Sequence, residues 1–178
     1  MKNTARFLST CLVMFFFIGQ AVAQLSPEAV RDDLLEHFIQ SSQKVLKLSE
    51  AVPAELYAWS PGDGVMSIGH VYAHIARYNY MYLEDNMGVL VPEGIDLDTL
   101  EEIRDKDRLV GILQESVRHA QKAIQALTPS ELRKETVLYG RDVESWRVLV
   151  QLVAHLNEHV GQSVAYARMN EVVPPWSM

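Results

Sequence analysis

Four long segments in which apolar residues recur every three or four positions limit what this chain can fold into. That spacing places apolar side chains on one face of an α-helix. The clearest stripe lies near the C-terminus, where Val148, Leu152, Leu156 and Tyr166 follow the helical period. An amphipathic helix must bury its apolar face against another element, so the pattern predicts an all-α protein.

Capping residues and helix breakers set the bounds of the first two predicted helices. The first begins at the cap Ser26, has Pro27 at its first position and continues to about Glu50. The second begins at the cap Ser67 and stops before Gly88, which can adopt the left-handed conformation that ends helices.

The second half of the chain supplies the other two helices. Asp105 caps the third, which runs to Pro129. Residues 130–144 show no strong pattern apart from a short extended piece at 136–142, and Ser145 opens the fourth helix. The sequence thus shows four helices, one long crossover and no convincing strand. This pattern predicts an antiparallel four-helix bundle.

A leader precedes the predicted bundle. Basic residues come before an apolar run at 7–18 that is too short to cross a bilayer, and Ala21 and Ala23 offer a cleavage site. We therefore expect a signal peptide at 1–23, a mature domain at 24–178, and an exported protein, periplasmic or secreted, without a stable membrane anchor. A retained N-terminal anchor is the alternative.

Cysteine content and charge exclude several classes of function. The single cysteine, Cys11, lies in the leader, so the mature chain would have no disulfide, no cysteine metal ligand and no cysteine nucleophile. The formal net charge is −7 and there is no Lys/Arg cluster. Such a chain is a poor candidate for binding nucleic acid or an anionic membrane.

Four of the six histidines form two pairs spaced i, i+4, namely His70 with His74 and His155 with His159. On the fourth helix, both histidines of the second pair share one face, about 80° wide, with Val148, Leu152, Gln162 and Tyr166, so both imidazoles point into the bundle. A buried imidazole needs a hydrogen-bond partner or a metal, and i, i+4 is the spacing of helical zinc sites. The sequence therefore predicts a metal site at this pair.

A third ligand is expected from the second helix. His74 lies at the flank of the buried face of that helix and His70 lies nearer to solvent, so His74 is favoured and His70 is its competitor. A three-histidine site keeps a coordination position open for water or substrate. Gln162 shares the inward face of the fourth helix, and we expect its side chain either beside the metal ligands or bonded to the helix backbone. The remaining histidines, His37 and His119, are expected to be structural or exposed.

Two other metal chemistries match the sequence less well. Residues 155–159 fit the H-x-x-E-H pattern of inverted zincin peptidases, but only Glu171 follows as a candidate acidic ligand. A noncovalent haem held by histidine and a methionine such as Met66 or Met169 is a further alternative, although methionine more often fills a core.

The chain resembles DinB-like proteins, a superfamily of four-helix bundles. The resemblance rests on residues 59–62, 66–69, 74–76, 155–162, 166–168 and 174–176. It implies a divalent metal ion, zinc or nickel, bound by His74, His155 and His159, and often a homodimer. It also implies kinship with thiol-cofactor transferases and isomerases.

These observations predict a metal-dependent hydrolase or transferase that acts on a small molecule, which the sequence does not name. The alternative is a noncatalytic bundle that is stabilised by metal, senses metal or serves as an interaction module. An open coordination position would favour the enzyme, whereas a fourth protein ligand would favour the structural role.

Overall fold

The computed structural model describes residues 26–177, which form a helical bundle with one small hairpin. In chain order the elements are α1 (Pro27–Ala51), α2 (Ile68–Met87), α3 (Lys106–Ala126), α4 (Pro129–Leu132), β1 (Glu135–Leu138), β2 (Arg141–Glu144) and α5 (Trp146–Met169). Within the described part, no helix is both long enough and apolar enough to cross a membrane. The predicted signal peptide at 1–23 lies outside the described residues and stays a prediction.

The capping residues act largely as the sequence predicts. The side chains of Ser26, Ser67 and Asp105 each accept a backbone N–H from the first turn of α1, α2 and α3. Gly88 ends α2 with a φ of 69°. Ser145 precedes α5 as expected, but its hydroxyl donates to a carbonyl before β1 and does not cap the helix.

Hydrogen bonds between helix ends fix the direction of α3 relative to α1. The Lys106 ammonium, at the start of α3, donates to the carbonyls of Glu50 and Val52 at the end of α1. At the opposite end, the Arg31 guanidinium donates to the Leu127 carbonyl. These two helices are therefore antiparallel.

The long crossover is the connection between α2 and α3, at residues 88–105. It runs back along α2, where Arg77 donates to the carbonyl of Leu97 and the buried Leu100 packs against the helix. Helix α3 consequently starts at the same end as α2 and runs in the same direction, while α5 returns antiparallel to α2. The predicted four-helix bundle with a long crossover is confirmed.

The region at 130–144 contains more structure than its weak pattern predicts. Thr128 and Glu131 form a capping box around Pro129 that starts the short helix α4, which the sequence prediction missed. The predicted extended piece is a hairpin of β1 and β2, joined by Tyr139 and Gly140 with φ of 51° and 75°. Positive φ at both central residues is typical of a type I′ turn.

The core fills the space between the four long helices. Its largest fully buried side chains are Phe38, Leu48, Ile68, Tyr72, Ile75, Tyr80, Tyr82, Leu83, Leu109, Leu113, Ile124 and Leu132. Helix α2 is held at its start by the preceding connection, because the Gly69 N–H donates to the Tyr57 carbonyl and the Tyr57 hydroxyl donates to the Ser49 carbonyl.

Gly69 is predicted to be required for this close approach. A Cβ at Gly69 would lie 3.1 Å from both the carbonyl oxygen and ring carbon Cδ1 of buried Tyr57, whereas a Cβ at Gly111 would meet nothing within 4 Å. We expect Gly111→Ala to raise the free energy of unfolding by about 0.5–1 kcal/mol through helix propensity. We expect Gly69→Ala to lower it by about 1 kcal/mol because packed backbone must shift. Urea denaturation measures the free energy of unfolding of both variants. An increase in this free energy in Gly69→Ala would contradict the account.

Candidate metal centre

Three imidazoles from two helices converge inside the bundle. His74 is on α2 and His155 and His159 are on α5, and one nitrogen from each lies within 4.8 Å of the other two. The ring centroids are separated by 5.0 Å for His74 and His155, 4.8 Å for His74 and His159, and 4.5 Å for His155 and His159. The structure thus brings together the three residues that the sequence singled out.

The free nitrogens of this cluster suit a metal ion. His155 is 8% exposed, and its Nε2 is buried with no hydrogen-bond partner among the described residues. In His74 and His159 the Nδ1 atoms are engaged by neighbouring side chains, which leaves Nε2 available in both. A buried unpaired imidazole nitrogen is costly unless something binds it, so the donor set fits a divalent cation.

Glu101 holds the α2 histidines from the crossover. One carboxylate oxygen lies 2.8 Å from Nδ1 of His74 and the other lies 3.1 Å from Nε2 of His70. Buried Leu100, the neighbour of Glu101 in a 3₁₀ turn, anchors this part of the crossover against α2. A carboxylate that accepts the second N–H of a histidine fixes its orientation and raises its basicity as a ligand.

Gln162 plays the corresponding part for His159. Its Oε1 lies 2.8 Å from Nδ1 of His159, and its Nε2 donates to the hydroxyl of Tyr166 at 2.9 Å. The Tyr166 ring in turn packs edge-on against Trp59, from the connection before α2. Of the two roles considered for Gln162, the structure therefore shows it beside the histidine cluster.

His155 is positioned by aromatic packing. The Tyr78 ring stacks on it with centroids 4.4 Å apart and a 22° interplanar angle, and the Tyr82 ring meets it edge-on at 5.8 Å. Tyr78 also lies 4.3 Å from His74, between centroids. These rings limit the imidazole to one orientation and shield that side of the cluster from water.

The electrostatics favour neutral imidazoles, which is the form that binds a metal. Burial, together with His159 and His74, lowers the pKa of His155 to about 3. Burial also lowers the pKa of His74 despite the opposing effect of Glu101. Burial opposes ionisation of Glu101, but hydrogen bonds from His70 and His74 outweigh it and hold the pKa of that carboxyl below its usual value.

The remaining histidines lie outside the cluster. His70 lies nearer to solvent than His74, as expected, with side chains that are 33% and 18% exposed, and it also bonds the Glu101 carboxylate. His37 is exposed, and His119 packs against Tyr80 with ring centroids 5.2 Å apart. Glu101 was not predicted as a neighbour of the cluster, because it lies on the irregular crossover.

Comparison with known proteins decides the family. The sequence profile of the DinB superfamily matches residues 37–163. The chain belongs to the DinB superfamily. No curated protein matches it closely enough to count as a relative.

Solved structures of other DinB-like proteins share the fold of this superfamily member. A DinB-like protein from Bacillus cereus superposes with a TM-score of 0.71 at 17% identity, covering 81% of this chain and 95% of that one. YfiT from Bacillus subtilis is described as a probable metal-dependent hydrolase with an unusual four-helix bundle topology. It superposes with a TM-score of 0.65 at 14% identity, covering 85% of this chain and 93% of that one. At these identities the likeness shows the fold alone.

Loss of the Glu101 carboxylate is predicted to weaken metal binding without abolishing it. Glu101→Gln keeps the shape but removes the charge that orients His74, and we expect zinc affinity to fall by about 10–100-fold. The neighbouring exposed Glu102 provides the matched control, Glu102→Gln. Competition with a chromogenic chelator measures both affinities, and equal affinities would contradict the role assigned to Glu101.

The metal-free protein is predicted to lose stability in acid through His155. The pKa of an ordinary histidine is 6.5, and burial lowers that of His155 in the folded protein to about 3. Between these pH values, residue 155 is therefore protonated in the unfolded chain but not in the folded one. Falling pH then favours unfolding, by up to about 1.4 kcal/mol per pH unit from this group. Urea denaturation with a chelator present should give a shallower pH slope for His155→Gln, but not for the exposed-site control His37→Gln. Unchanged slopes in both would contradict the shift.

Proposed function

We propose that this DinB-superfamily protein binds one divalent metal ion through His74, His155 and His159 and hydrolyses a small molecule. The observation that carries the proposal is the set of three converging imidazoles, two of which have their second nitrogen engaged by Glu101 and Gln162. The description of YfiT as a probable metal-dependent hydrolase supports the same assignment.

The ligand count favours a catalytic site over a purely structural one. Within residues 26–177, the mutually close group of metal-ligating side chains consists of three histidines and has no fourth member. Structural zinc sites in proteins are closed by four ligands, whereas catalytic sites keep a position for water or substrate. A noncatalytic, metal-stabilised bundle remains the competing function.

The chain's own residues have separable tasks in this hydrolysis. A bound divalent ion supplies Lewis acidity, which lowers the pKa of a water molecule towards neutrality and polarises a carbonyl. Glu101 and Gln162 keep His74 and His159 oriented with Nε2 towards the shared position. The rings of Tyr78 and Tyr82 exclude water from one side, which strengthens electrostatic interactions within the site.

Single replacement of each ligand is predicted to remove both the metal and the activity. We expect His74→Ala, His155→Ala and His159→Ala to reduce bound metal from near-stoichiometric to trace amounts, because two imidazoles hold a cation far less tightly than three. Elemental analysis measures the metal, and release of p-nitrophenol from small p-nitrophenyl esters measures hydrolysis. His119→Ala, a histidine outside the cluster, is the control.

The outcomes separate the two functions. Hydrolysis that is abolished by chelation, restored by zinc or nickel and lost in the three ligand variants supports the enzyme. Metal binding without hydrolysis of any ester or amide tested supports the noncatalytic bundle. Full metal content in all three variants would overturn the site itself.

A further inference from the structure

A second concave site lies between the β1–β2 hairpin and the start of α5. Its volume is about 510 Å³, within the range of small-molecule binding sites. Leu138, Val143, Trp146 and Val150 give it an apolar wall. None of its lining residues belongs to the histidine cluster, so its role can be judged independently of the metal.

Two unpaired cations face this apolar wall. Arg141 and Arg147 line the cavity, and neither forms an ion pair in the part of the chain that the structure describes. Strand alternation places Arg141 and Val143 on one face of β2 and Asp142 on the other. In a chain of net charge −7, the residues that line this pocket include two arginines and no acidic side chain, and the carboxylate of Glu144, which contacts the wall, is bonded to Trp146.

The guanidinium of the exposed Arg147 packs over an aromatic ring. Its central carbon lies 4.8 Å from the centroid of the Trp146 ring, and the Trp146 indole N–H donates to the Glu144 carboxylate at 2.8 Å. Stacking leaves the in-plane N–H groups of an arginine free for a ligand. A carboxylate is the anion whose two oxygens match that planar fork.

Tyr139 forms a constrained part of the same wall. It adopts a φ of 51° in the hairpin turn, where a residue with a Cβ carries a cost of about 1–2 kcal/mol relative to the usual conformations. Tyr139 is 68% exposed, and its hydroxyl bonds that of Tyr82, which also accepts a hydrogen bond from Gln151. The type I′ turn requires this conformation, and the bond to Tyr82 fixes the Tyr139 side chain at the cavity wall.

We propose that this cavity binds a small organic acid with one carboxylate and an apolar body, aromatic or branched. The carboxylate lies between Arg141 and Arg147. The apolar body packs on Trp146, Val143 and Val150. Both parts of the ligand are required, since the cations are solvent-screened and the apolar wall is small.

An NMR titration of the full chain with phenylacetate tests the proposal. The indole N–H resonance of Trp146, assigned from its loss in Trp146→Phe, should shift in a saturable manner while that of Trp59 stays in place. We expect phenylacetamide, the neutral isostere, and inorganic phosphate, which lacks the apolar body, each to bind at least about tenfold more weakly.

Arginine variants locate the binding. Arg141→Gln and Arg147→Gln should each weaken the binding of phenylacetate by several-fold. Arg133 is an exposed arginine before the hairpin, and Arg133→Gln should leave the affinity unchanged. The proposal is overturned if the Trp146 resonance does not respond, if phenylacetamide or phosphate binds as well as phenylacetate, or if Arg133→Gln weakens binding as much as the pocket variants.

Discussion

The interaction that ties the crossover to the histidine cluster is the hydrogen bond between Glu101 and His74. Glu101 lies on the connection between α2 and α3, and it can reach α2 only because that connection runs back along the helix. The same crossover makes α2 and α3 run in one direction and leaves α5 antiparallel to α2. His74 then faces the inward turn of α5 that carries His155 and His159.

Burial and hydrogen bonding act together at this cluster. Burial lowers the pKa of His155 and His74, which keeps the imidazoles neutral, and the neighbouring Glu101 and Gln162 fix which nitrogen each ring presents. Unpaired polar atoms inside a core normally destabilise a protein. The Nε2 of His119 is buried and unpaired too, but among the described residues only His155 has two further imidazoles close enough to share an ion with it. A metal ion would convert that cost into binding energy.

Local signals in the sequence were sufficient for most of the fold and for the pair of His155 and His159, whereas the choice of His74 over His70 depended on the predicted burial of the second helix and on the resemblance to DinB-like proteins. The caps Ser26, Ser67 and Asp105 and the spacing of His155 and His159 depend on residues within a few positions of each other, so they can be recognised without tertiary structure. Glu101 could not be found this way, because no periodicity links a crossover residue to a helix 27 positions earlier. The helix at Pro129 was missed although its capping box is local, because one turn gives no apolar stripe.

The most direct test of the central claim is X-ray absorption at the zinc or nickel edge of the metal-loaded protein. We expect a first shell that includes three imidazole nitrogens at about 2.1 Å, with multiple-scattering features of histidine and one further light-atom ligand. A wild-type spectrum without imidazole scattering would contradict the account. So would a wild-type spectrum that fits fewer than three histidine ligands and is the same as the spectrum of His155→Ala.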